Sequence, residues 1–188
     1  MYRYPRVKRK RQKANLDKES IHKRPETIKS RKSFGHWEED LILFYNTKTN
    51  VFTFHERKTR LLIAIKNANR RAKETSKSFI NYMGQKIDMI KSLILDNDPF
   101  FAEYKGMSES LKSDIYFCVP YKSYQKGAIE NGNRLIREKL PRKSSIAQFS
   151  QDKIEEIMGK LNSRPMKILG FLTPQEAFLQ ERFLRDNL

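Results

Sequence analysis

Apolar and polar positions along this chain follow two different periods, and the change from one to the other divides the sequence. From His36 to Phe44 the residues read as a strand, followed by the polar turn Asn46-Thr47-Lys48-Thr49-Asn50. Two further short runs, Val51 to His55 and Leu61 to Ile65, complete a predicted antiparallel meander. Phe79, Ile80 and Met83 then make an apolar stripe between Ala72 and Gln85, which predicts a helix. Ile90 to Leu95 is short, apolar and ended abruptly by Asp96-Asn97-Asp98-Pro99, the pattern of a buried strand stopping at a turn. Ile115 to Val119 repeats that pattern and ends at Pro120.

From about Gly127 the period becomes helical, with Ile129, Ile136 and Leu140 on one face, and Ile154, Ile157, Met158 and Leu161 signal a further helix. A last helix starts at Thr173-Pro174-Gln175-Glu176, where Thr173 can cap, Pro174 suits the first helical position and Glu176 completes a capping box. A meander followed by an alternating half predicts an α/β fold, a mixed five-stranded sheet with flanking helices.

Residues 1 to 33 lack apolar periodicity and contain the run Lys8-Arg9-Lys10-Arg11. They read as an extended basic arm or linker, with order beginning near Phe34 and one domain over 34–188. Charge sharpens this division. The formal net charge is +17; residues 1 to 33 hold 13 Lys or Arg against 3 acids, a net of +10, and the remainder hold 26 against 19, a net of +7. A polyanionic partner follows from counterion release, with nucleic acid the commonest such partner. The single cysteine, Cys118, rules out an intramolecular disulfide, and its apolar neighbours point to a buried thiol. The longest apolar stretches, Leu61 to Ile65 and Ile115 to Val119, are too short to span a bilayer, and no signal-peptide pattern is visible. A reducing, cytoplasmic, nucleoid-associated setting is expected.

Three acids fall where such a sheet would do chemistry. Asp40 lies in the first strand, Asp96 is the first residue past the fourth, and Glu130 opens the helix after the fifth. Sites in open α/β sheets gather at the carboxyl ends of strands. Carboxylates gathered there repel one another unless cations intervene. Oxygen-only ligands favour Mg²⁺ or Mn²⁺, and two such ions can activate a water and stabilise a leaving oxygen. The same acids also suit a turn and a helix start on structural grounds alone, so position by itself leaves both readings open.

The segment Gly35-His36-Trp37-Glu38-Glu39-Asp40 resembles the opening motif of DDE transposases of the insertion-sequence-thirty type, relatives of retroviral integrases. Glu56-Arg57-Lys58-Thr59-Arg60 is similar to that family's acid-Arg-Lys-Ser/Thr-Arg hairpin, and Leu95-Asp96-Asn97 to its second motif. Tyr124-Gln125-Lys126-Gly127-Ala128-Ile129-Glu130-Asn131-Gly132-Asn133 resembles the family's Trp-Gln-Arg-Gly-x-x-Glu-Asn-x-Asn. Arg137, Pro141-Arg142-Lys143, Asn162-x-Arg164-Pro165-x-Lys167 and Thr173-Pro174-x-Glu176 follow in order, so the resemblance covers about residues 34 to 178. The 33 residues between Asp96 and Glu130 equal the family's spacing.

The resemblance implies a ribonuclease-H-like fold and a catalytic, metal-binding triad of Asp40, Asp96 and Glu130 holding two Mg²⁺ or Mn²⁺ ions. It implies nicking at transposon ends, strand transfer into target DNA, and a homo-oligomer by analogy. It also implies that the helix-turn-helix region preceding the core in full-length members is missing. One loop departs from the pattern. Asp96-Asn97-Asp98-Pro99-Phe100-Phe101 stands where the family has Asp-Asn-Gly-x-Glu-Phe, so a glycine and a second acid are replaced. Asp96 is expected to face the metals, with Asp98 a turn residue tolerated in the glycine's place.

Glu130, Arg134 and Arg137 fall at i, i+4 and i+7, either a solvated face with a local ion pair or guanidiniums holding phosphates beside the site. Lys126 and Lys139 are further DNA-backbone candidates, as are Lys8, Arg9, Lys10 and Arg11 in the arm. Trp37 is expected in the core and His36 in a structural or DNA-backbone role. The leading expectation is a DNA transposase catalytic domain. The alternative is a non-catalytic DNA-binding remnant of a decayed element, and a third reading, a basic RNA-binding protein, fits the ordered motifs poorly.

Overall fold

The computed structural model describes residues 17–187 with the exception of 70, 121 and 122. The cluster Lys8-Arg9-Lys10-Arg11 lies outside those residues. In chain order the elements are a short helix α1 (Glu26–Lys29), strands β1 (His36–Leu43), β2 (Asn50–Glu56) and β3 (Leu62–Asn67), and helix α2 (Ala72–Gly84). Then come β4 (Ser92–Leu95), α3 (Tyr104–Leu111), β5 (Asp114–Phe117), α4 (Gly127–Lys139), α5 (Gln151–Asn162) and α6 (Pro174–Asp186).

The sheet order is β3-β2-β1-β4-β5. The first three strands form the expected antiparallel meander, while β4 and β5 run parallel to β1. This is the mixed five-stranded, ribonuclease-H-like sheet. Alternation along each strand sends side chains to opposite faces. One face buries Trp37, Phe52, Phe54, Leu93 and Leu95 against Phe79 and Met83 of α2 and Met107 and Leu111 of α3. The other buries Ile42, Val51 and Ala64 against Ile129 and Ile136 of α4 and Ile154 and Leu161 of α5. Trp37 is fully buried, and its indole Nε1 donates to Met89 O at 2.9 Å.

Two glycines allow close approach. Gly35 takes φ +96°, and its N–H donates to Glu56 Oε1 at 3.0 Å, which fixes the entry to β1. A Cβ on Gly132 would lie 2.6 Å from Leu62 Cδ2, so α4 can seat this closely on β3 because that position carries no side chain.

The outer edge of β3 is occupied by side chains. Asn162 receives the Leu62 N–H at 2.9 Å and donates to Leu62 O at 2.7 Å. Gln151 does the same at the other end of α5, accepting from Lys66 N at 2.9 Å and donating to Ala64 O at 3.2 Å.

Two expectations are corrected. Order begins before Phe34: Ile21 and Ile28 are buried with Ile94, Tyr116 and Cys118, and Ser20 forms a parallel bridge to Phe117. Isolated apolar residues in a basic segment carry no period, which hid this docking. Helix α3 was also not anticipated. Tyr104, Met107 and Leu111 form its buried stripe, but Gly106, Ser108 and Ser110 dilute the pattern, and a left-handed Lys112 at φ 48° ends it where glycine is usual. The capping box at Thr173 and Glu176 is present, with Pro174 in the first turn. Among the described residues no helix is long and apolar enough to cross a membrane.

Two buried histidines give the fold an acid limit. Burial, with Lys91 and Arg57 nearby, pulls His36 down to about 4, and its Nδ1 lies 2.7 Å from Ser92 Oγ. Burial among Arg60, Arg31 and Arg57 pulls His55 down to about 3. The unfolded chain takes up these protons near pH 6.5 while the folded chain resists, so stability falls as pH drops from 6.5 towards 3. Each such histidine steepens the slope by up to about 1.4 kcal/mol per pH unit. In urea titrations between pH 4 and 6, His55→Asn is expected to flatten the dependence by that amount. A slope equal to wild type refutes the assignment.

Candidate active site at the carboxyl ends of β1 and β4

Strand β1 pairs with β4 only from His36 to Glu38, because β4 ends at Leu95, while β1 continues along β2 to Leu43. Beyond Glu38 a notch opens, and Asp40 and Asp96 stand on its two sides. Their side chains are 24% and 37% exposed. Each carboxylate has one oxygen held by a protein donor. Asp40 Oδ2 accepts from Asn133 Nδ2 at 2.7 Å, and Asp96 Oδ1 accepts from the Asp98 N–H at 3.0 Å. The remaining oxygens, Asp40 Oδ1 and Asp96 Oδ2, meet the Lys126 ammonium at 3.1 and 3.4 Å. Lys126 also donates to Glu39 O at 3.0 Å, and its side chain is 6% exposed. Burial opposes its charge, but Asp40 and Asp96 outweigh burial and hold its pKa above the ordinary lysine range.

Alternation sorts the three consecutive acids of β1 into three environments. Asp40 faces the notch. Glu38 lies on the same face but is fully buried, ion-paired to Arg57 Nη1 and accepting from the Ile129 N–H at 3.2 Å. Glu39 points to the opposite, apolar face, with neither carboxylate oxygen hydrogen-bonded. Burial, reinforced by Asp40 and Asp96, raises its pKa well above the usual carboxylate range.

The loop after β4 is pinned at each position. Asn97 donates to Cys118 O and accepts from Lys18 Nζ at 3.4 Å. Asp98 is extended, at φ −64° and ψ 140°, and accepts from the Phe100 N–H at 3.1 Å as the cap of a short 3-10 turn. Its conformation fits the residue before a proline, and the left-handed geometry that a glycine there suggests is not adopted. Burial, with Asp96 and Asp40 close by, raises its pKa. Cys118 is a buried thiol pushed up to about 11 by burial, as its setting in the sequence implied.

Helix α4 presents Asn133 and Arg137 to β1, with Lys126 capping its start. Spacings of four, three and four place Glu130 on that same stripe. Glu130 is exposed, and no described residue hydrogen-bonds or ion-pairs with it. Among the described residues no group of three acid, histidine or cysteine side chains that could hold a metal ion is present, and Asp40 and Asp96 are joined through Lys126. Arg137 is half-buried, donating to Leu43 O at 2.6 Å with its guanidinium 5.0 Å from the Phe44 ring. Arg134 is exposed and paired with Glu138 at 2.9 Å, and Lys139 is exposed. Lys126, a candidate in the sequence for holding phosphates beside the site, lies buried in the notch between the two aspartates.

Asp40 and Asp96 fit a divalent cation: they are all-oxygen donors, partly open to solvent, and already share the Lys126 ammonium. Glu130 has its carboxylate free one helical turn from Lys126 and from Asn133.

No protein-family model matches the chain. It is 34% identical over 160 residues to the transposase for insertion sequence element IS4351 of Bacteroides fragilis, a match over 85% of this chain and 49% of that protein. It is 33% identical over 168 residues to transposase InsI for insertion sequence element IS30A of Escherichia coli, over 88% of this chain and 43% of that protein. The chain therefore spans about half the length of these curated relatives. In fold it is similar to the catalytic core domain of BIV integrase, with TM-score 0.64 and 17% identity, over 81% of this chain and 99% of that one. The chain is thus a homologue of the transposases of the insertion-sequence-thirty type, and its fold is that of an integrase catalytic core.

Proposed function

We propose that this chain is a transposase catalytic domain that cuts DNA strands and transfers them during transposition, using Mg²⁺ or Mn²⁺. The observation that carries this reading is the convergence of one oxygen each from Asp40 and Asp96 on a single cation at the notch. A bound divalent pair would activate a water or a 3′-hydroxyl and stabilise the leaving oxygen. The chain's own residues do the positioning. Asn133 and the Asp98 N–H orient the two aspartates, and Glu130 supplies the third carboxylate from α4. The exposed Arg134 and Lys139 hold phosphates, as do the basic residues of 1–16, which include Lys8, Arg9, Lys10 and Arg11. The partners are transposon terminal inverted repeats and target DNA, and pairing two ends calls for a homo-oligomer.

One observation favours a second reading, a DNA-binding remnant without catalysis: no three-carboxylate metal group is present among the described residues, and the loop after Asp96 lacks the second acid of the pattern it resembles. The full chain is incubated with labelled transposon-end DNA and Mn²⁺, beside Glu130→Gln. Nicking by wild type and its loss in Glu130→Gln is the expected result. DNA retention without nicking by wild type establishes the remnant instead.

A further inference from the structure

Lysine is an unfavourable residue at the start of a helix, where the backbone dipole is positive. Lys126 holds that position before α4, with no side-chain cap, and its ammonium is buried. Its three N–H donors have three acceptors: Glu39 O at 3.0 Å, Asp40 Oδ1 at 3.1 Å and Asp96 Oδ2 at 3.4 Å. The acceptors on the aspartates are the two oxygens that no other donor among the described residues takes, while the other two are held by Asn133 and the Asp98 N–H. The ammonium thus occupies the point at which both free oxygens are aimed. A divalent cation entering there meets a like charge that must leave first.

We propose that Lys126 is a tethered counter-ion that holds Asp40 and Asp96 together in the metal-free protein and competes with the incoming metal, so that it sets the metal affinity of the site. The proposal rests on the metal-dependent reading above. Lys126 is a positioning residue: without it the two carboxylates face each other uncompensated, and the notch relaxes or takes up protons. With it, metal binding includes withdrawal of the lysine along its flexible four-carbon stem. The device trades affinity for a site that is preformed before any ion arrives.

The 188-residue chain as wild type, Lys126→Met and Lys126→Arg is titrated with Mn²⁺ by calorimetry in the absence of DNA, and the metal-free thermal midpoints are compared. Lys126→Met is expected to bind Mn²⁺ at least about tenfold more tightly than wild type, because the competing charge is gone. Its metal-free midpoint falls, because the aspartates lose their counter-ion. Lys126→Arg keeps the charge and stays close to wild type in affinity. If Lys126→Met does not fold without metal, Lys126→Gln, which keeps a donor but not the charge, carries the same expectation. Equal or weaker binding by the neutral variant overturns the proposal and leaves the metal-dependent reading standing. No Mn²⁺ binding by any of the chains overturns both.

Discussion

Replacing Arg57 with methionine is expected to destabilise the fold by about 3–5 kcal/mol, the cost of leaving one member of a buried ion pair uncompensated. The Arg57 and Glu38 side chains are 2% and 0% exposed. Burial pulls the guanidinium down to about 10 despite Glu38, so it is still charged at neutral pH. Arg57 also donates through Nη2 to Ile28 O and Lys29 O at 3.3 and 3.4 Å, and Glu38 takes the Ile129 N–H. One pair therefore ties the hairpin after β2 to β1, to α1 and to the start of α4. In urea unfolding, Arg57→Met is expected to lower the midpoint sharply and to expose residues 17–33 to protease. Adding Glu38→Gln should recover part of the loss, since glutamine can still accept from Ile129 while removing the orphaned charge. A single variant within 1 kcal/mol of wild type, set against that estimate of several, would show that the pair is solvent-compensated.

Asp96→Asn is expected to reduce metal-dependent nicking at least about a thousandfold, equivalent to about 4 kcal/mol of barrier. The substitution keeps the shape of the side chain, and Oδ1 can still accept from the Asp98 N–H. What disappears is the charge facing Lys126 and the proposed metal position. Asp98→Gly makes the complementary case. Asp98 caps a short turn and points no oxygen at the Lys126 ammonium, so its replacement costs about a few tenths of a kcal/mol. Activity should be preserved or raised, because a negative charge beside the site is removed. Nicking that survives Asp96→Asn and disappears in Asp98→Gly reverses the two roles.

The sheet was legible because strands and helices impose different periods on apolar residues, and all five strands and the four longest helices lie close to their anticipated positions. Asp96 was legible for a related reason: a buried strand that stops at a turn leaves its next side chain at the sheet's carboxyl end, whereas Asp40, inside β1, was singled out by the motif it resembles. The notch itself was not. Its depth depends on β4 ending while β1 runs on, a difference in pairing that neither strand's pattern contains. Lys126 belongs to the same class, since a buried lysine differs from a DNA-facing one only in what lies opposite. Glu38 and Arg57 sit in motifs that the resemblance identified, but their partnership spans a chain reversal and required the fold. Asn97, Asn133 and Asn162 turn out to hold backbone or a carboxylate in place, tasks that local sequence does not announce.

The two amides of α5 have a consequence beyond the stability of β3. An unpaired edge strand offers its N–H and C=O groups to any passing extended segment, and β-augmentation, domain swapping and aggregation all start there. Asn162 and Gln151 fill the hydrogen-bonding positions of Leu62, Ala64 and Lys66 as a missing sixth strand would, but with side chains that propagate no further ladder. A chain carrying a large positive charge thus closes this edge to extended segments of its own copies, and leaves surfaces made of helices and loops for association.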